Sequence, residues 1–124
     1  MFKINDDYSI HLTRGDIANI TVSASTIDGQ PYTFKVGDVV RLKVMERKNC
    51  DNVVLNKEIV TTADATEVQI FLDKEDTKIG DVISKPVKYW YEIELNPHTL
   101  PQTILGYDED GEKLFTLYPE GSDL

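Results

Sequence analysis

Cysteine is nearly absent from this 124-residue chain, long apolar runs are missing, and cations are scarce. The lone Cys50, set in a polar turn near Arg47 and Lys48, excludes an internal disulfide and favours a reducing compartment. No apolar run is long enough to span a bilayer, and Met1-Phe2-Lys3-Ile4-Asn5-Asp6-Asp7 lacks the apolar centre of a signal peptide, so the chain reads as cytoplasmic when made. With 13 Lys and Arg against 22 Asp and Glu, the formal charge is −9. Nucleic acid draws its protein partners through cations, and anionic membrane does the same, so neither is an expected partner. His11 and His98 have no ligand spacing that would hold zinc. There is no glycine-rich phosphate loop and no G-x-S-x-G elbow, hence no expected cofactor and no sequence support for an enzyme.

Alternation is what the chain has in quantity. In Val87-Lys88-Tyr89-Trp90-Tyr91-Glu92-Ile93-Glu94-Leu95, apolar residues alternate with mostly charged ones. Side chains on a strand point to opposite faces with period two, so this is a half-buried strand, bounded by Pro86 and by Asn96-Pro97. Val39–Met45 repeats the pattern with Arg41 and Lys43 on the polar side, and residues 9–13, 17–24 and 66–72 follow it too. The first two of these join at a corner through Arg14-Gly15-Asp16. Residues 53–60 give a weaker strand, and 31–34 a short edge-like one. Residues 103–107 and 112–118 read as a hairpin with the acidic tip Asp108-Glu109-Asp110-Gly111. The segment 73–79 is the only one allowed to be helical, as a single turn.

Turn chemistry separates these strands. Gly15-Asp16, Asp28-Gly29, Gly37-Asp38 and Asp110-Gly111 supply residues that tolerate positive φ and hydrogen-bond their own backbone. About eight or nine short strands point to an all-β fold, an antiparallel sandwich occupying residues 1–118, with 119–124 as a flexible tail. The three Gly-Asp-aliphatic triplets, at Gly15, Gly37 and Gly80, are unequally spaced and read as recurrent turns.

Few motifs carry chemistry. Arg14-Gly15-Asp16 is the tripeptide integrins read on exposed loops, but here it reads as a structural turn. Asp108–Gly111 lacks the acids that a calcium loop needs, since Gly106 and Leu117 occupy those positions. Asp73, Glu75 and Asp76 read as a solvated turn, and the sequon Asn19-Ile20-Thr21 falls inside a strand. Trp90 stands out because it lies on the otherwise charged face, beside Lys88 and Glu92. An aromatic there is a candidate contact for a protein or a sugar, unless a loop folds over it.

Ile10–Asp16, taken with Asp28-Gly29 and Gly37-Asp38-Val39-Val40, resembles the opening of the N-terminal domain of phage baseplate upper proteins from tailed phages of Gram-positive hosts. Lys88–Leu95, with Gly106–Gly111 and Tyr118-Pro119-Glu120-Gly121, is similar to the close of small prophage proteins. The resemblance implies an immunoglobulin-like, Greek-key β-sandwich that works by assembling with phage tail or baseplate proteins in a virion, with no catalytic residues. Such components work in symmetric assemblies, so a homo-oligomer is a candidate state. The alternative is a carbohydrate-binding sandwich in which Trp90 with Tyr107 or Tyr118 forms a stacking platform.

Overall fold

The computed structural model describes residues 2–4 through their backbone, and residues 8–26, 28–47, 51–80, 85–109 and 111–120 in full. Met1, Asn5, Asp6, Asp7, Lys48, Cys50, Asp110 and residues 121–124, which carry calls above, lie outside these. Every regular element among the described residues is a strand: β1 (Phe2–Ile4), β2 (Ile10–Thr13), β3 (Ala18–Val22), β4 (Val39–Met45), β5 (Val53–Val60), β6 (Val68–Leu72), β7 (Val87–Leu95), β8 (Gln102–Leu105) and β9 (Lys113–Tyr118). The large sheet runs β1-β2-β9-β7-β4-β5, with β8 also paired to β7, and β3 with β6 makes a small sheet.

Period-two patterning explains how the sheets bury their faces. On β3 and β6 the apolar residues alternate with exposed ones, and Ala18, Ile20 and Val22 lie opposite Leu72, Ile70 and Val68. On the large sheet Leu12, Val40, Leu42, Val44, Tyr91, Ile93, Phe115 and Leu117 point inward, and both sets belong to one buried cluster. Each aliphatic side chain buried there contributes about 1.5–3 kcal/mol. The corner expected between β2 and β3 passes the chain from the large sheet to the small one.

Two expectations change. The fold is not antiparallel throughout, because β2 runs parallel to β9, Ile10 opposite Phe115 and Thr13 opposite Tyr118. Parallel neighbours need a long connection, and here most of the chain lies between them. The hairpin of residues 103–118 does not form either. β8 pairs with the Ile93–Leu95 end of β7 and β9 with its Val87–Tyr91 end, so two short strands share one long edge. Between them Asp108 and Gly111 form only an isolated bridge. The segment 73–79 goes no further than the single turn expected of it: Thr77 N–H donates to Asp73 O at 3.3 Å, and the Glu75 and Asp76 N–H groups donate to Asp73 Oδ1 at 3.0 and 2.8 Å, as at a helix N-cap.

The turn glycines at 15, 29, 37 and 111 all have positive φ. Gly15 is also fixed from outside: a Cβ on it would stand 3.0 Å from the Glu120 carboxylate. Beneath it the buried Thr77 hydroxyl accepts from Gly15 N–H at 3.1 Å and donates to Asp16 O at 2.7 Å.

Asp38 ties four segments together. Its carboxylate accepts from Tyr32 Oη (2.7 Å), Lys35 N–H (2.9 Å) and Asn96 Nδ2 (3.2 Å), while its carbonyl accepts from Thr61 N–H (2.8 Å). Asn96, in the left-handed region at φ 49, ends β7 and accepts from Val39 N–H through Oδ1. Partial burial opposes the Asp38 charge, but the Lys35, Tyr32 and Asn96 donors outweigh it and hold the carboxyl below the ordinary aspartate range. A second tie joins the layers. Lys57, opposite the core residue Leu42, points inward from edge strand β5, and its amine meets Asp76 at 2.9 Å, beyond the end of β6.

Two substitutions test these ties. Asp38→Ala should cost about 2–3 kcal/mol near neutral pH, read from urea midpoints. A depressed carboxyl stabilises the fold above the ordinary aspartate range and ceases to as pH falls through its folded value. The parent's stability should therefore drop more steeply in acid than the variant's, and equal slopes would count against the Asp38 hub. Thr77→Val keeps the shape but strands Gly15 N–H and Asp16 O, so a loss of about 1–3 kcal/mol is expected.

Candidate functional site

Directly paired residues on neighbouring strands project to the same side of a sheet. Trp90 on β7 is paired with Met45 on β4 and Leu114 on β9. These three therefore share the outer face, away from the main core. Met45 is buried there at 7 % exposure although it is not part of the core cluster, and Trp90 itself is half-buried. Next to this apolar row the face is charged: Glu92 opposes Lys43, Glu94 opposes Arg41, and Arg41 opposes Glu58. Arg41–Glu94 and Lys43–Glu92 close at 2.8 and 2.9 Å. Such pairs contribute little singly, about 0.2–1 kcal/mol, but they cancel charge. Along the paired strands Arg41, Lys43 and Lys88 match Glu58, Glu92 and Glu94 in number.

The turn after β8 comes down onto this face. A Cβ on Gly106 would meet Thr103 Cγ2 at 2.9 Å and Glu92 Cβ at 3.4 Å, so the close approach to β7 requires glycine. Tyr107 is thereby set against Trp90, with ring centroids 6.4 Å apart and planes tilted by 50°. Tyr107 remains 74 % exposed. An open cleft of about 310 Å³ beside the pair is lined by Lys43, Asp51, Glu92 and Glu112 among others, and a second of about 610 Å³ reaches Arg47 and Lys88. The Trp90 Nε1–H is buried and has no acceptor among the described residues. Leaving such a donor unpaired costs about 1–3 kcal/mol.

Of the residues picked out in the sequence, Trp90, Tyr107, Lys88 and Glu92 come together here, and Tyr118 does not. Tyr118 is about 13 Å along β9 from Leu114, stacked on His11 at 5.9 Å with its hydroxyl 2.9 Å from Nδ1. Met45 and Leu114 were not singled out. The cross-strand ion pairs were legible only in outline, as Arg41 and Lys43 on one strand and Glu92 and Glu94 on another.

The remaining motifs are structural in their contacts. Arg14, Gly15 and Asp16 are half-buried, with Arg14 Nη2 donating to Gly80 O at 3.2 Å and Arg14 N–H to Tyr118 O at 3.0 Å. Asp108 is engaged by the buried Lys113 amine at 2.8 Å. Among the described residues no cluster of acids, histidines or cysteines has the arrangement of a metal site, and no helix is long and apolar enough to cross a membrane. No protein-family model matches the chain, and neither does any curated protein or solved structure.

Trp90 is the only tryptophan, so its fluorescence reports on this face. Tyr107→Ala should move its emission to longer wavelength and raise its quenching by acrylamide without loss of the strand circular-dichroism signal. Unchanged emission would mean that Tyr107 does not cover it.

Proposed function

We propose that this chain is a non-enzymatic assembly module of a phage or prophage tail or baseplate, docking a protein partner through the outer face of its large sheet. The observation that carries the reading is Trp90. A large aromatic lies half-buried on the outer face of the large sheet beside the exposed Tyr107 ring, next to cross-strand ion pairs that cancel one another's charge. Aromatic anchors of this kind, ringed by polar pairs, dominate the energetics of protein interfaces.

The architecture fits an immunoglobulin-like sandwich. The order β9-β7-β4-β5 in one layer, with β3 beside β6 in the other, corresponds to the G-F-C-C′ and B-E strands of a variable-type domain. The resemblance of residues 10–16, 28–29, 37–40, 88–95, 106–111 and 118–121 to baseplate and prophage proteins supplies the tail context. Carbohydrate binding is the second reading, favoured by the cleft beside Trp90 and Tyr107. The 50° tilt between their rings and the distance to Tyr118 leave no flat stacking platform.

Light scattering of the chain mixed with the purified products of neighbouring genes should show a defined complex that quenches or shifts Trp90 emission. Trp90→Ala should weaken it by at least about 2 kcal/mol, roughly thirtyfold in Kd. A complex that forms equally well with Trp90→Ala, or that leaves Trp90 emission untouched, would rule out this face. Binding to a cell-wall glycan that is lost in Trp90→Ala would move the conclusion to the second reading.

A further inference from the structure

Where β5 leads over to β6, two strand edges face solvent and differ in how they are protected. β5 pairs only with β4 and β6 only with β3, so each has one edge without a backbone partner among the described residues. Residues 51–80, which hold both strands and the connection between them, are described without a break. An unpaired edge invites another strand, and proteins blunt it with an inward charge, a proline or a bulge. β5 carries the inward Lys57, bonded to Asp76, and a register shift near its start. Val68–Leu72 has none of these. Val68, Ile70 and Leu72 are buried, Gln69 and Phe71 face outward, and the pairing with β3 runs without a shift.

Between the two edges the layers part. An open cleft of about 280 Å³ is lined there by Ile59, Val60, Ala63, Ala65, Val68 and Gln69 among others. The Lys57–Asp76 bond ties the layers beyond Leu72, and the cleft lies toward Val68. On the outer side of the same strand Phe71 is 50 % exposed. A strand laid along β6 would cover both, its inward side chains entering the cleft and its outward ones lying beside Phe71.

Charge decides which strand that can be. Residues 61–73 contain Asp64, Glu67 and Asp73 and no Lys, Arg or His. All three acids are exposed. Glu67 and Asp73 stand at the two ends of β6, on the side of Gln69 and Phe71 by the alternation of the strand. A second copy is opposed at this edge, because pairing β6 with itself over its full length sets Glu67 opposite Asp73 twice, and like charges directly opposite destabilise a pair. We propose that the β6 edge receives an extended basic segment of a partner protein, which adds a strand to the small sheet. The segment carries Lys or Arg opposite Glu67 and Asp73, with apolar residues at the positions between them that face the cleft. Backbone bonds hold it, and the flanking charges select it. This contact lies on the small sheet and does not depend on the Trp90 face of the large one.

A peptide blocked at both ends, Lys-Val-Thr-Val-Thr-Val-Lys, sets cations and apolar residues in that order. It should bind the full chain saturably, and amide hydrogen exchange in Val68–Leu72 should slow with peptide while exchange in Val53–Val60 does not. The counterpart with Glu at both ends should bind at least about tenfold more weakly. Salt should weaken the basic peptide by screening. Glu67→Gln combined with Asp73→Asn, which keeps the Oδ1 acceptor of the following turn, should weaken it about fivefold with the circular-dichroism spectrum unchanged. Trp90→Ala should leave this binding intact. Should the double variant fail to fold, the exchange pattern of the unaltered chain decides. No binding, equal binding of the two peptides, protection of β5 in place of β6, or slowing of β6 exchange by self-association without peptide would each overturn the proposal.

Discussion

The fold depends on β7 meeting three neighbours at once. β4 covers one edge along most of its length, while β9 and β8 divide the other. A strand so placed has no freedom of register, because a slip by one residue would send Tyr91 and Ile93 to solvent and Glu92 and Glu94 into the core. The same constraint fixes the outer face. Once Ile93 and Tyr91 are inside, Trp90, Glu92 and Glu94 must be outside, opposite Met45, Lys43 and Arg41. The candidate docking face is thus a by-product of the register that fills the core.

Polar ties do what apolar burial cannot, since burial is indifferent to direction. Asp38 and Asn96 stop β7 and start β4 at the same level, and Thr77 holds the Gly15 corner where the chain leaves one sheet for the other. The tripeptide Arg14-Gly15-Asp16 is consumed by this corner, with Arg14 engaged by Gly80 and Gly15 closed off by Glu120. A motif that elsewhere serves recognition is here a hinge pin of the fold.

Local signals in the sequence carry most of the strands. Alternation located β2, β3, β4, β6 and β7, and glycine next to aspartate located turns whose glycines at 15, 29 and 37 have positive φ. What stays hidden is pairing between distant strands. Nothing local to Gln102–Leu105 says that it will lie against β7 rather than fold back on Lys113–Tyr118, because both choices bury Ile104 and Leu105 about equally. Nor does Ile10–Thr13 announce a parallel neighbour more than a hundred residues later. Trp90 was legible as an oddity on a charged face. That Gly106 would lower Tyr107 onto it required knowing which strand β8 joins.

The inward lysine on β5 has a bearing on how far any assembly can grow. A strand added at that edge would have to bury the Lys57 amine or break its bond to Asp76, and its flank would face Glu58. Sheet extension is thereby opposed at β5. A lysine turned inward on an edge strand serves the fold and at the same time denies that edge to a neighbour, which for an acidic protein is one barrier against edge-to-edge fibres.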